Sequence, residues 1–163
     1  MIFQPLWSWL GSVIAGDINI SCYAPVIGWM FFLLPRLYAQ FTYTMSTGKL
    51  VDLSQPRKFT QTVYTDPALS SRARARILRA DAAGANTIEN ISFFAAAIVI
   101  GNQGDLSDSL LNALSVAYLF TRLLYIAAYI FSETATITIL RVFFFVTGHT
   151  ISSTLFILAA KQT

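Results

Sequence analysis

The sequence predicts an all-α integral membrane protein, a four-helix bundle that crosses the bilayer up-down-up-down. Its residues are 55% hydrophobic and 12% charged, whereas soluble domains carry roughly 25% charged residues. Four long apolar stretches, separated by mostly short polar connections, indicate spanning helices arranged as neighbours. The formal net charge of +3 is small, so we expect no nucleic-acid partner.

Polar or turn-forming residues separate the expected helices. Residues 1–16 are apolar and contain Trp7 and Trp9, which suit the headgroup level of a membrane. No basic residue precedes this stretch, so we expect it to be retained rather than cleaved as a signal peptide. Pro35 predicts a kink in the first helix, and Ser107 or Asp108 is expected to cap the third. The single domain, residues 1–163, is expected to have helices at about 23–47, 69–101, 107–131 and 137–160.

The connection between the first two helices is long and basic. Residues 48–70 include Lys49, Arg57 and Lys58, and a loop of this length is either functional or disordered. Residues 65–67 are expected to form a turn and cap before the second helix. The positive-inside rule predicts that this loop faces the cytosol, which places both termini on the opposite side.

The chain has a single cysteine and a single histidine, Cys22 and His149. One cysteine excludes an intrachain disulfide and a CxxC redox pair. One histidine cannot supply a multi-ligand metal site. We therefore expect no metal, and we expect His149 to pack between helices.

Ionisable and aromatic side chains recur at helical spacing within the apolar stretches. Arg122, Tyr125 and Tyr129 share a face of the third helix, and Arg141 lies about one turn inside the fourth. We expect Arg79 of the second helix to converge with them at similar depth. The second helix presents its polar residues mainly on one face, with Glu89 at the edge: Arg72, Arg76, Arg79, Asn86 and Asn90.

Placing an ionisable group in a bilayer costs roughly 2.5–3.5 kcal/mol on insertion scales, so each such group is expected to have a structural or a functional role. One interpretation is structural: Glu89 pairs with an arginine, Asn86 bonds between helices, and Arg72 and Arg74 contact headgroups. The other is a site in which arginines and tyrosines hold a small anion with two carboxylates. A guanidinium near a thiol would also favour the thiolate.

Two motifs carry a resemblance to a known family. The first is Asn86-x-x-Glu89-Asn90, after an arginine-rich helix start and before Phe93-Phe94. The second joins Tyr118, Arg122, Tyr125 and Tyr129 to Arg141 beyond the next turn, and Gln55-Pro56-Arg57 adds a weaker match. Together these residues resemble the MAPEG family, the membrane-associated proteins of eicosanoid and glutathione metabolism.

The resemblance implies a homotrimer in an intracellular membrane such as the endoplasmic reticulum. Glutathione, as co-substrate, would bind between subunits at the cytosolic side, and a lipophilic substrate would arrive from the bilayer. Arg141 would stabilise the thiolate, with the Tyr125 hydroxyl as the alternative. The glutathione-binding residues would be Arg79, Asn86, Glu89, Arg122, Tyr125 and Tyr129.

The chain departs from the family pattern at Ala82, where many members carry an arginine. The first hypothesis is a membrane glutathione transferase or peroxidase acting on lipophilic electrophiles. The second is a non-catalytic lipid-binding scaffold of the same fold. A third, a small transporter, is disfavoured because inverted repeats and paired broken helices are missing from the sequence.

Overall fold

The computed structural model describes residues 6–162, which form seven α-helices and two short 3₁₀ turns. Within that range the chain forms no strand. Four segments are long and apolar enough to cross a membrane: Ser21–Thr47, Ser71–Gln103, Asp108–Ile130 and Ala135–Ala160. The predicted all-α, four-span fold is confirmed. The helices are α1 Leu6–Ala15, α2 Ala24–Met30, α3 Leu33–Thr47, α4 Phe59–Thr65, α5 Ser71–Gln103, α6 Asp108–Ile130 and α7 Ala135–Ala160.

The long helix α5 lies at the centre of the bundle, packing against α2, α3, α6 and α7. One apolar cluster fills the half of the bundle that contains Phe94, Leu111 and Leu155, and a second fills the half that contains Ile77 and Ile130. We call the end with α4, the start of α5 and the turn between α6 and α7 the basic end. The end with α1 and the turn between α5 and α6 is the opposite end.

The first span is interrupted at Phe31–Phe32, between α2 and α3. Here the amide groups of Phe31 and Phe32 donate to carbonyls three residues back, at 3.2 Å. Pro35 explains the position, because its ring lacks an N–H and clashes with the carbonyl four residues earlier, that of Phe31. The predicted kink therefore lies one turn before the proline, and Pro35 itself sits in the first turn of α3.

The connection 48–70 contains a helix that the sequence analysis did not predict, α4, after a 3₁₀ turn at Pro56–Lys58. Asp66 anchors the connection to α3: its carboxylate accepts from Tyr43 Oη at 2.8 Å and from Lys49 Nζ at 2.8 Å. The prediction of a cap at residues 65–67 was wrong. Ser70 caps α5, since its hydroxyl accepts from the amide of Ala73 at 3.2 Å.

Asparagines hold the opposite end together. Asn112 of α6 donates to the carbonyls of Val13 and Ile18 at 2.8 and 2.7 Å, and accepts from the amide of Ile20 at 2.8 Å. Three of the four hydrogen bonds that this buried amide can make are thus used to seat α1 and the following turn against α6. The part of the predicted N-terminal segment before residue 6 lies outside the described residues.

The remaining helix bounds differ from those expected by one or two residues. α5 runs from Ser71 rather than residue 69, and α7 begins at Ala135, where Thr134 caps it by accepting from the amide of Ile137. Ser107 occupies the position before α6, but its side chain makes no capping hydrogen bond. These differences do not change which residues share a face.

We expect Asp66→Asn to loosen the connection 48–70. The Lys49 ammonium, with the Ala68 amide and Tyr43 hydroxyl, lowers the pKa of Asp66 to about 2. The stabilisation that the ionised Asp66 carboxylate gives the folded state is therefore complete above the ordinary Asp pKa of about 4 and is lost as pH falls toward 2. Trypsin cleavage at Arg57 and Lys58 should become several-fold faster in the variant at neutral pH.

Asp52→Asn is the matched control, because Asp52 is exposed and its carboxylate bonds only within its own turn, to Ser54 at 2.9 and 2.6 Å. Equal cleavage rates in the two variants would contradict the anchoring role of Asp66.

Candidate functional site

Arg122 is buried in the middle of the bundle without a counter-ion. Its side chain is aimed at α5, where one terminal nitrogen donates to the carbonyl oxygen of Asn86 at 2.6 Å. The residue is 2% exposed, and its Nε has no hydrogen-bond partner. Among residues 6–162 no carboxylate forms an ion pair with it. A cation in this position is a strong candidate for binding an anion.

Aromatic rings continue from Arg122 toward the basic end. The Arg122 guanidinium carbon lies 4.4 Å from the centroid of the Tyr125 ring, and the Tyr125 and Tyr129 rings meet edge to face at 5.6 Å. Arg141 of α7 lies over the Tyr129 ring at 4.6 Å. We call Arg122, Tyr125, Tyr129 and Arg141 the Arg–Tyr row. The structure thus brings together four of the predicted site residues.

The row has a closed floor and an accessible edge. Arg122 and Tyr125 are buried, whereas Tyr129 and Arg141 are partly exposed. The cleft beside Arg122, lined by Asn90, Phe93 and His149 among others, has no room for a water molecule. A ligand entering from this edge would therefore meet Arg141 and Tyr129 first, with Tyr125 and the charge of Arg122 beneath them.

The polar residues of α5 border the row in different ways. The side-chain amides of Asn86 and Asn90 bond back to the helix, to the carbonyls of Ala82 at 3.2 Å and Asn86 at 2.7 Å. Glu89 is exposed, and no ion pair joins it to another part of the described chain. The interpretation that Glu89 pairs with an arginine of its own protomer is therefore wrong for residues 6–162.

Arg79 does not join the Arg–Tyr row. Its Nε donates to the carbonyl of Ile130 at 3.0 Å, and its terminal nitrogen lies 3.3 Å from the Glu133 carboxylate. The Glu133 carboxylate also forms ion pairs with the terminal nitrogens of Arg72 at 2.8 Å and Arg76 at 2.6 Å. The expected convergence of Arg79 with the other site residues is wrong within one protomer, because Arg79 bonds instead to Ile130 and to Glu133 in the turn after α6.

Glu133 is the residue that the sequence analysis missed. It is the only acidic residue after Asp108, and it lies in a turn that meets the arginine-rich start of α5. Hydrogen bonds from Arg72 and Arg76 lower the pKa of Glu133 to about 2, so its carboxylate is ionised at every physiological pH. We call Arg72, Arg76, Arg79 and Glu133 the Glu133 cluster.

Two further arginines near the basic end are used structurally. Arg36 bridges to α5 through Asp81 at 3.1 Å and to the carbonyl of Pro56 at 3.1 Å. Arg74 donates to the carbonyls of Val63 and Asp66 at 3.1 and 2.8 Å. Arg74 therefore holds α4 against α5, which its interpretation as a headgroup contact did not foresee.

Four apolar spans enclosing a row of arginines and tyrosines define a multi-pass integral membrane protein with a candidate anion site. The family model of the MAPEG family matches residues 20–161. The chain therefore belongs to the MAPEG family, membrane proteins of eicosanoid and glutathione metabolism. Comparison with curated proteins and with solved structures returned no match.

We expect Arg122→Met to leave the unfolding temperature in detergent unchanged or to raise it. The substitution removes a buried charge that has no counter-ion in the protomer, and replacing such charges by apolar groups is neutral or stabilising. Loss of a residue that serves ligand binding leaves stability unchanged or higher, whereas loss of a residue that supports the fold lowers it.

The comparison variant is Arg79→Met, which loses the bonds to Ile130 and Glu133. Its free energy of unfolding should fall by about 1–3 kcal/mol, the usual cost of losing a charged hydrogen bond. If Arg122→Met were the more destabilised of the two, Arg122 would be a structural residue.

Proposed function

We propose that this protein is a membrane-bound glutathione transferase or peroxidase that acts on lipophilic electrophiles. The observation that carries the proposal is Arg122, a buried cation with no counter-ion among the described residues, at the floor of the Arg–Tyr row. A charge held this way favours an anionic ligand, since the ligand supplies the missing counter-charge. Membership of the MAPEG family points to glutathione as that ligand.

The chemical groups of glutathione suit the side chains at the accessible edge. Arg141 offers a planar fork that matches a carboxylate. Glu89 offers an unpaired carboxylate for the ammonium group of the peptide. Because Glu89 is exposed on a membrane helix, we propose that a neighbouring subunit covers it, as in the homotrimer that the resemblance implies. Asn86 and Arg122 then hold the binding surface in place from below.

The reaction begins with the thiol of glutathione. The guanidinium of Arg141 favours the thiolate by its charge, and the Tyr125 hydroxyl can donate to the same sulfur. In the transferase reaction the thiolate forms a carbon–sulfur bond with the electrophile. In a substitution the leaving group departs with the bonding electron pair; in an addition the activated double bond then accepts a proton. In the peroxidase reaction the thiolate attacks the terminal oxygen of a hydroperoxide, and the oxygen–oxygen bond breaks to release the alcohol and leave a sulfenic acid on glutathione. A second glutathione then displaces water to give the disulfide.

The proposal extends to the setting of the protein. The basic end faces the cytosol, where glutathione is available, and both termini lie on the other side of an intracellular membrane such as the endoplasmic reticulum. The distribution of Lys and Arg supports this orientation through the positive-inside rule. The lipophilic substrate enters from the bilayer.

The alternative is a non-catalytic lipid-binding scaffold of the same fold. The Glu133 cluster favours it, because three arginines share one carboxylate and retain positive charge for phospholipid headgroups. Ala82, at a position where many family members carry an arginine, also leaves the Arg–Tyr row with fewer cations. Thiol chemistry distinguishes the two functions.

We expect the detergent-solubilised protein to bind glutathione and to show the ultraviolet absorbance of a thiolate. Arg141→Ala should weaken binding about tenfold to hundredfold, the value of one charged hydrogen bond, and abolish the thiolate signal. Calorimetry measures the affinity, and a difference spectrum against S-methylglutathione measures the thiolate. Tyr125→Phe, which lowers the thiolate signal only if the hydroxyl donates to sulfur, decides between the two candidate groups.

Arg57→Ala is the matched control, because Arg57 is an exposed arginine of the loop and lies outside the Arg–Tyr row. It should leave affinity and thiolate signal unchanged. If the wild-type protein binds no glutathione at millimolar concentration, the transferase proposal is wrong and the lipid-binding scaffold replaces it.

A further inference from the structure

A large apolar groove lies at the opposite end of the bundle, between α1, α2 and α6. Its volume is about 540 Å³, which is within the usual range of small-molecule sites, roughly 300–1,000 Å³. It shares no residue with the Arg–Tyr row. Its walls are formed by Trp9, Ile18, Ile20, Tyr23, Ala24, Val26, Ile27, Ser115, Val116 and Leu119.

One wall residue, Ser115, carries a buried hydroxyl that lacks a partner. The residue is 1% exposed, and its Oγ makes no hydrogen bond to any of residues 6–162. The other buried helical hydroxyls at depth in α5, α6 and α7 bond back to a carbonyl four residues earlier: Thr87 at 2.8 Å, Thr121 at 2.7 Å and Ser152 at 3.2 Å. Ser115 has the same option and does not use it.

Water is a poor partner for this hydroxyl. A bound water needs two to four polar neighbours, and the groove offers few, since most of its wall residues are aliphatic. The residues at its mouth, among them Val26, Ile27 and Val116, are exposed and belong to helices long and apolar enough to lie in a bilayer. A molecule that enters the groove therefore comes from the bilayer and can bring the missing hydrogen-bond group with it.

Part of the groove wall lies outside the family match. The family match begins at residue 20, whereas Trp9 and Ile18 form one wall. Asn112 fixes that wall by donating to the carbonyls of Val13 and Ile18. The N-terminal helix is thus hydrogen-bonded in place as a wall of the groove.

We propose that the groove binds a single-chain amphiphile, an aliphatic chain whose hydroxyl or carbonyl group pairs with Ser115 Oγ. The aliphatic walls accept the chain, and the unpaired hydroxyl selects for a polar group at one point along it. A wholly apolar alkane would leave Ser115 unsatisfied, so it binds more weakly than the corresponding alcohol. The site is independent of glutathione and of the Arg–Tyr row.

The test uses photolabelling of the full-length protein in phosphatidylcholine nanodiscs, without glutathione. The probe is hexadecanol with a diazirine in its chain, and mass spectrometry maps the adducts. We expect saturable labelling of the α1, α2 and α6 segments that line the groove, and competition by unlabelled hexadecanol. Labelling that does not saturate, or that spreads over all lipid-facing helices, would overturn the proposal.

Variants give the test its controls. Val116→Trp fills the groove and should cut labelling at least several-fold, whereas Val146→Trp adds the same bulk on α7, at nearly equal exposure: 53% for Val116 and 54% for Val146. Equal labelling of the two variants contradicts the site.

Ser115→Ala preserves the groove and removes the hydroxyl, so the proposal does not depend on a bulky variant that misfolds. It should weaken competition by hexadecanol up to about tenfold, the value of one neutral hydrogen bond, and leave competition by hexadecane unchanged. Equal loss for both competitors would refute the pairing with Ser115. Labelling by a diazirine phosphatidylcholine that hexadecanol cannot displace would show instead that a two-chain lipid occupies the groove.

Discussion

The hydrogen bond from Arg122 to the carbonyl oxygen of Asn86 ties α6 to the polar half of α5. That oxygen also accepts a hydrogen bond from the side-chain amide of Asn90 at 2.7 Å, so one backbone oxygen accepts from two side chains. In a membrane interior such a charge is costly unless it is hydrogen-bonded or paired. With Arg122 held at this depth, the rings of Tyr125 and Tyr129 follow edge to face toward the basic end, and Arg141 of α7 completes the row. The geometry of the site therefore depends on one contact.

The polar half of α5 serves two purposes, which its sequence alone does not separate. Near its start, Arg72, Arg76 and Arg79 turn toward Glu133 and secure the turn between α6 and α7. Two turns further on, the side chains are uncharged or unpaired. The arginines closest to the basic end thus act mainly on the fold. Arg141, at the accessible edge of the Arg–Tyr row, is left as the cation that can contact a ligand, with the buried charge of Arg122 beneath it.

Periodicity accounts for what the sequence predicted correctly. Apolar length predicts the spans, and spacings of three, four and seven residues place Arg122 beside Tyr125 and Tyr129, because both depend only on local helix geometry. The destination of Arg79 depends instead on where the turn carrying Glu133 arrives, which is a tertiary property. The break at Phe31–Phe32 lies one turn before Pro35 because the proline acts on an earlier carbonyl. Ser115 shows no signal at all in the sequence, since its missing partner becomes visible only with the groove around it.

The two ends of the bundle differ in charge, and this matters wherever a voltage acts across the membrane. The basic end and the adjoining helix turns carry nine lysines and arginines against four acidic residues, whereas the opposite end carries Asp17, Asp105 and Asp108 against Lys161. Each elementary charge moved through 100 mV changes the energy by about 2.3 kcal/mol. The molecule therefore behaves as an electric dipole set along the bilayer normal. Where a membrane is negative on its cytosolic face, the field itself favours the orientation in which the arginines face the cytosol, and it opposes inversion.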